Sequence, residues 1–217
     1  MNDAFDFESR FAKGLPVRQP KWSGFPEYNF IGGHNDPESI PVEGLIEATA
    51  RVLRRRGQTL ATYNQDSGPL GDIEMRQFLA GKLAKFRGMS AGEDEILVTS
   101  GSGQALELIN QILCEPGDTV IMEEFTYQGA MNRLRARGVN VVGAKLDNGG
   151  LDIDALAEQL DKLEKSGTLP KFVYTIPTVQ NPTSSVLSVE RRRKLLDITR
   201  ERGIAIVEDE CYADLLW

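Results

Sequence analysis

The sequence predicts an α/β fold, a mostly parallel sheet with helices on both faces. Two observations carry this prediction. Short apolar runs of strand length lie at residues 96–98, 119–122, 139–142, 172–176 and 204–207. Between most of them are stretches with helical spacing, near 103–114, 129–137, 153–165 and 188–202. Strand, helix and strand in series imply parallel pairing, and parallel strands are buried under helices on both sides.

Composition fits such a fold. The chain has 217 residues, 41% apolar and 26% charged, enough to bury a core. A net charge of -7 opposes binding to a phosphate backbone, so no nucleic-acid partner is expected. No window approaches the roughly 20 apolar residues of a membrane span, and the acidic N-terminus has no signal core. A cytoplasmic location is expected. The two cysteines, Cys114 and Cys211, have apolar neighbours and no partner at metal-ligand spacing, so both read as buried free thiols. No metal site is expected.

Along the chain, residues 1–41 form an irregular N-terminal arm. Pro16, Pro20, Pro26, Pro37 and Pro41 interrupt any helix, and Trp22, Phe25, Tyr28 and Phe30 give the arm an aromatic character suited to packing on another surface. Residues 42–62 form a helical segment and its connection, with Leu45, Ile46, Thr49, Val52 and Leu53 recurring at three and four, and Gly57 ending the helix. Residues 63–217 form the main domain. Its first helix spans about 72–87, with Asp72 as N-cap and Gly88 as stop. The arginine runs at 54–56 and 191–193 read as solvated helix faces and receive no function.

Four motifs carry chemistry. Gly101-Ser102-Gly103-Gln104 stands where a strand hands over to a helix. The first N–H groups of that helix can converge on an anion, although glycine and serine there also serve as a plain turn and cap. Tyr127 lies beyond the end of the next strand, where an aromatic can stack on a flat heterocycle or simply pack under a loop. In Asn181-Pro182-Thr183 the proline restrains the asparagine to an extended conformation, and the amide offers both donor and acceptor; an Asx turn is the alternative. Asp209 ends a strand with Tyr212 three residues on. A buried carboxylate there needs a cation, and a protonated pyridine nitrogen is one, as is the partner of an ordinary salt bridge.

Together these residues resemble the class I/II aminotransferases of the aspartate aminotransferase fold type, which use pyridoxal 5′-phosphate (PLP). The likeness runs from about residue 28 to the end. It implies the large domain of that fold, truncated at its C-terminus, preceded by the arm and part of a small domain. It implies that Ser102, Gly103 and Gln104 hold the cofactor phosphate and that Tyr127 stacks on its ring. Asn181 and Tyr212 then bond the phenolic oxygen, and Asp209 the ring nitrogen. Gly33, in Phe30-Ile31-Gly32-Gly33, is similar to the family's substrate-side glycine. Tyr63, ahead of Gly68-Pro69-Leu70, resembles the tyrosine that reaches the phosphate of a neighbouring subunit, which implies a homodimer. Amino acids and 2-oxo acids are the implied substrates.

Two departures stand out. Ser184 occupies the usual glycine of the Asn-Pro-Thr-Gly signature. The family's Schiff-base lysine follows in a Ser-x-x-Lys context beyond Asp209, and none of the nine lysines here matches it. No catalytic residue is therefore assigned, and the expectation is an N-terminal fragment, inactive alone. Two other readings remain open. One is a PLP-sensing effector domain of a transcription regulator, although no helix-turn-helix pattern precedes the domain. The other is a nicotinamide-dependent dehydrogenase domain, suggested by Gly101-x-Gly103 and Glu124 but lacking the third glycine at Leu106.

Overall fold

The computed structural model describes residues 6–13, 15, 18, 20–21, 23–28, 32–63 and 65–215. The expectations placed on Pro16, Trp22, Phe30 and Ile31 lie outside the described residues. The chain divides into two units, 1–58 and 59–217.

In the first unit, Phe25 meets His34 edge to face at 5.2 Å. Asp36 caps a short turn at Pro37–Ser39, accepting the Glu38 N–H at 3.1 Å. Helix α1 spans Val42–Arg56. It stops at Gly57, as predicted. Gly57 keeps a right-handed φ of -57° and donates to Leu53 O, and the chain tightens into a 3-10 turn at Gly57–Thr62.

The first α-helix of the second unit is α2, Ile73–Arg87. Asp72 accepts the Met75 N–H at 3.1 Å, and Gly88 takes φ 63°, the left-handed turn that a residue without Cβ enters freely. Arg76 on this helix is buried. Its guanidinium donates to Gly71 O, Ser67 O and Glu93 O at 3.1, 2.9 and 2.6 Å and so fastens the flanking loops to α2.

Then come α3 (Ser102–Leu113), β1 (Thr119–Glu123), α4 (Gln128–Ala136), β2 (Asn140–Ala144), β3 (Leu146–Asp147), β4 (Gly150–Leu151), α5 (Ile153–Lys165), β5 (Phe172–Thr175), α6 (Val189–Arg202) and β6 (Ala205–Glu208). The sheet has the order β2-β1-β5-β6, with every pairing parallel. Alternate residues of β1 and β5 point to opposite faces. Val120, Met122, Phe172 and Tyr174 join Leu106 of α3 and Leu134 of α4 in one core. Ile121 and Val173 join Leu156 of α5 and Leu195 of α6 in the other. Two helices per face is the predicted sandwich.

Three expectations are corrected. Residues 96–98 are not a strand: Val98 N–H bonds Leu70 O at 2.9 Å, but the segment has no ladder neighbour among the described residues. A hairpin of β3 and β4 appears where none was predicted, because two-residue strands carry no period. The arginines of 191–193 are not uniformly solvated. Arg191 grips Asp147 with Nη1 and Nη2 at 2.7 and 2.6 Å, pinning the hairpin to α6. Arg192 donates to Leu187 O, Pro177 O and Thr178 Oγ1 at 2.9, 2.8 and 2.8 Å, holding the chain that leaves β5.

Candidate functional site

Because β1, β5 and β6 are parallel neighbours, their carboxyl ends open on one edge. There a cavity of ≈ 240 Å³ is lined by Ser102, Tyr127, Ile176, Asn181, Asp209, Cys211 and Tyr212. Five of these residues are ones the sequence singled out.

Ser102 opens α3 after Gly101, whose φ of 80° turns the chain into the helix. The N–H groups of Ser102 and Gly103 lie in the first turn, before any intrahelical acceptor exists, and the helix dipole adds to their pull on an anion. The Gln104 side chain turns back to accept the Ser100 N–H at 2.6 Å, closing the loop beneath the turn. Gly103 lets the Arg133 guanidinium lie close: a Cβ there would fall 2.7 Å from its Nη2 and push that side chain aside. Leu106, at the place of a third dinucleotide glycine, is 7% exposed in the core.

Tyr127 is the residue before α4, and its ring folds over Gly129, where a Cβ would lie 2.5 Å from the Tyr127 hydroxyl. The Asn181–Pro182 bond is cis. Asn181 and Tyr212 stand together in the cavity wall. Burial raises the Tyr212 pKa above its ordinary value, and the neighbouring Cys211 and Asp209 add to the rise. Asp209 accepts from the Tyr174 hydroxyl at 2.8 Å. Burial, then the bond to Asp209, pushes the Tyr174 phenol far up, so it stays a donor.

Asp209 is half-buried, and no lysine, arginine or histidine pairs with it among the described residues. A carboxylate in a cavity wall with a neutral donor behind it and no cation in front suits a protonated ring nitrogen. Open helix-start amides at Ser102 suit a phosphate. The donor set therefore fits PLP.

Several residues escaped the sequence reading. Glu123 and Gln180 are both 3% exposed. The Glu123 carboxylate accepts from Thr175 Oγ1 at 2.5 Å, Ile176 N at 3.2 Å and Gln180 Nε2 at 2.8 Å. Burial raises its pKa while these donors oppose the rise. An acidic residue closing an apolar run was the available signal. Cys211 is a correction: it is exposed and lines the cavity, because it follows β6 in the turn and not within the sheet. Its sulfur end is nonetheless desolvated, which together with the Asp209 charge pushes the thiol up to about 11.

Gly103 and Gln104 adjoin Ser102 without lining the cavity, and two more predicted residues lie elsewhere. Tyr63 is 95% exposed at φ 54° and does not line the cavity. Gly33 belongs to the first unit. No lysine is among the lining residues. Among the described residues, no helix is long and apolar enough to cross a membrane and no acidic, histidine or cysteine cluster could hold a metal.

Comparison with known proteins agrees with this geometry. The family model for aminotransferase class I and II matches residues 33–217. A 2-aminoadipate transaminase of Thermus thermophilus is 35% identical over 86% of this chain and 44% of its own length. An aromatic-amino-acid aminotransferase of Thermococcus litoralis shows the same identity and coverage. A solved alpha-aminoadipate aminotransferase from Thermus thermophilus, complexed with N-(5′-phosphopyridoxyl)-L-leucine, superposes with a TM-score of 0.70 at 35% identity, over 82% of this chain and 42% of that one. The chain thus spans less than half the length of these relatives. It belongs to the class I and II aminotransferases, whose cofactor is pyridoxal 5′-phosphate.

Proposed function

We propose that this chain supplies the cofactor-holding part of an enzyme that moves an amino group between an amino acid and a 2-oxo acid. The reading rests on one observation: Ser102, Tyr127, Asn181, Asp209 and Tyr212, spread over more than half the sequence, wall one cavity. When bound, PLP acts as an electron sink for the carbon that loses its proton. The chain's own residues set that up. Ser102, Gly103 and Gln104 hold the phosphate at the start of α3. Tyr127 stacks against the ring and excludes water from one face. Asn181 and Tyr212 bond the phenolic oxygen. Asp209 keeps a proton on the ring nitrogen, and the Tyr174 hydroxyl aims its carboxyl group.

In the same reading residues 1–41 are an arm, 42–62 a small-domain segment and 63–217 the PLP domain. Gly33 faces substrate, and Tyr63 reaches the phosphate of a partner subunit in a cytoplasmic homodimer. The residues of the cavity wall hold the cofactor by non-covalent contacts.

Titration of the purified chain with PLP, followed by absorbance, tests the reading. Saturable binding is expected. Asp209→Ala should weaken it by about 2 kcal/mol, the weight of a hydrogen bond to a charged group. Borohydride reduction should leave no single lysine labelled, and an amino-acid/2-oxo-acid pair should give no multiple turnovers. Binding of NADH in preference to PLP, or homogeneous labelling of one lysine, would overturn it.

A further inference from the structure

Glu123 does not line the cavity, yet its carboxylate ties together the segments that do. One oxygen accepts from Thr175 Oγ1 at 2.5 Å and Ile176 N at 3.2 Å, at the end of β5. The other accepts from Gln180 Nε2 at 2.8 Å and Thr126 Oγ1 at 3.5 Å. Gln180 spends the rest of its amide on the same junction. Its Nε2 also donates to Phe125 O at 2.6 Å, and its Oε1 accepts from Thr183 N and Oγ1, both at 2.8 Å. Asn181 is therefore held between two pinned residues, 180 and 183. Tyr127 follows directly after Thr126, which touches the same carboxylate.

A buried carboxylate with four donors and no cation among its partners is an expensive way to join two loops, since an apolar contact would avoid desolvating a charge. What it provides is direction: each bond fixes an angle as well as a distance. We infer that Glu123 is a positioning residue that, through Gln180, sets the Asn181 amide at the reach required by the 3-oxygen of the cofactor ring and fixes its separation from Tyr127. This inference rests on the PLP reading above.

Glu123→Gln is the direct test because it keeps shape but puts an NH₂ where every neighbour donates. In either orientation of the new amide, its N–H faces the N–H of Gln180 or the N–H of Ile176 beside the Thr175 hydroxyl. The dissociation constants of PLP and of 3-deoxypyridoxal 5′-phosphate, which lacks the oxygen that Asn181 would contact, are measured by titration of the full chain. Circular dichroism verifies that each variant is folded. Wild-type protein should prefer PLP. Glu123→Gln should lose about tenfold of that preference, the size of one hydrogen bond, while its affinity for the deoxy compound stays at the wild-type value. Asn181→Ala should do the same, and the double variant should lose no more than Asn181→Ala alone.

Equal weakening for both compounds would make Glu123 a general stabiliser and overturn the inference, as would an unchanged preference or additive losses in the double variant. Wild-type protein that binds PLP without preferring it would remove the Asn181 contact, and wild-type protein that binds neither compound would remove the PLP reading, each a result distinct from a failure confined to Glu123. If Glu123→Gln does not fold, Thr183→Val loosens the same clamp from its far side, leaves the carboxylate intact, and should show the same selective loss.

Discussion

Ser184 holds φ 60°, the left-handed region in which a side chain crowds the following carbonyl. Its N–H bonds Gln180 O at 2.6 Å, so the turn after Asn181 closes only in that conformation. A glycine would take this conformation without the crowding that a Cβ brings. Ser184→Gly should raise stability by about 1 kcal/mol, read as a shift of the denaturant midpoint at constant slope. Gly129 is the opposite case. Ala at 129 gains up to about 1 kcal/mol as a helix residue, but its Cβ meets the Tyr127 ring, which must swing into the cavity. The expected result is an unchanged or higher melting temperature with weaker PLP binding. Unchanged PLP binding would show that the ring has room to move elsewhere. Of the two, only Ser184 was visible in the sequence, because its φ follows from a local motif, whereas the clash at Gly129 depends on a rotamer.

At the scale of elements, the sequence marked all six helices to within a few residues. Asp72 and Gly88 bracket α2 by chemistry that acts within one turn. Four of five predicted strands ladder, while 96–98 has the composition of a strand and no neighbour to pair with. Ladder bonds are non-local, so composition alone cannot supply them. The Glu123–Gln180 pair was hidden for the same reason, its members standing 57 residues apart. The β3–β4 hairpin depends on Arg191, which holds the Asp147 carboxyl down at about 2. A carboxyl lowered on folding stabilises the fold at pH values above its unfolded pKa, near 4, and loses that contribution as pH falls towards 2. Because Asp147 is solvent-facing, the effect is modest and screened by salt. Asp147→Asn should flatten the stability curve between pH 4 and pH 2 at low ionic strength and leave it nearly unchanged in 1 M salt. An identical acid limb in the two proteins would assign the loss to other carboxylates.

In the second unit taken whole, the walls of the cavity come from the start of α3 and the ends of three parallel strands. Ser102 and Tyr212 stand at opposite ends of the α/β segment, and Asp214 beyond them forms an ion pair with Lys82 of α2, 132 residues earlier in sequence. A pocket with such separations has no partial version: its last wall arrives only when β6 docks on β5. Loop closure over these spans is slow compared with helix formation. Ligand recognition is consequently a clock for the final ordering step. In refolding from denaturant, far-ultraviolet ellipticity should recover first and PLP binding in a later phase, with no binding amplitude in the early one. Appearance of PLP binding together with helix formation would mean that a local piece of the chain, and not the closed sheet, makes the site.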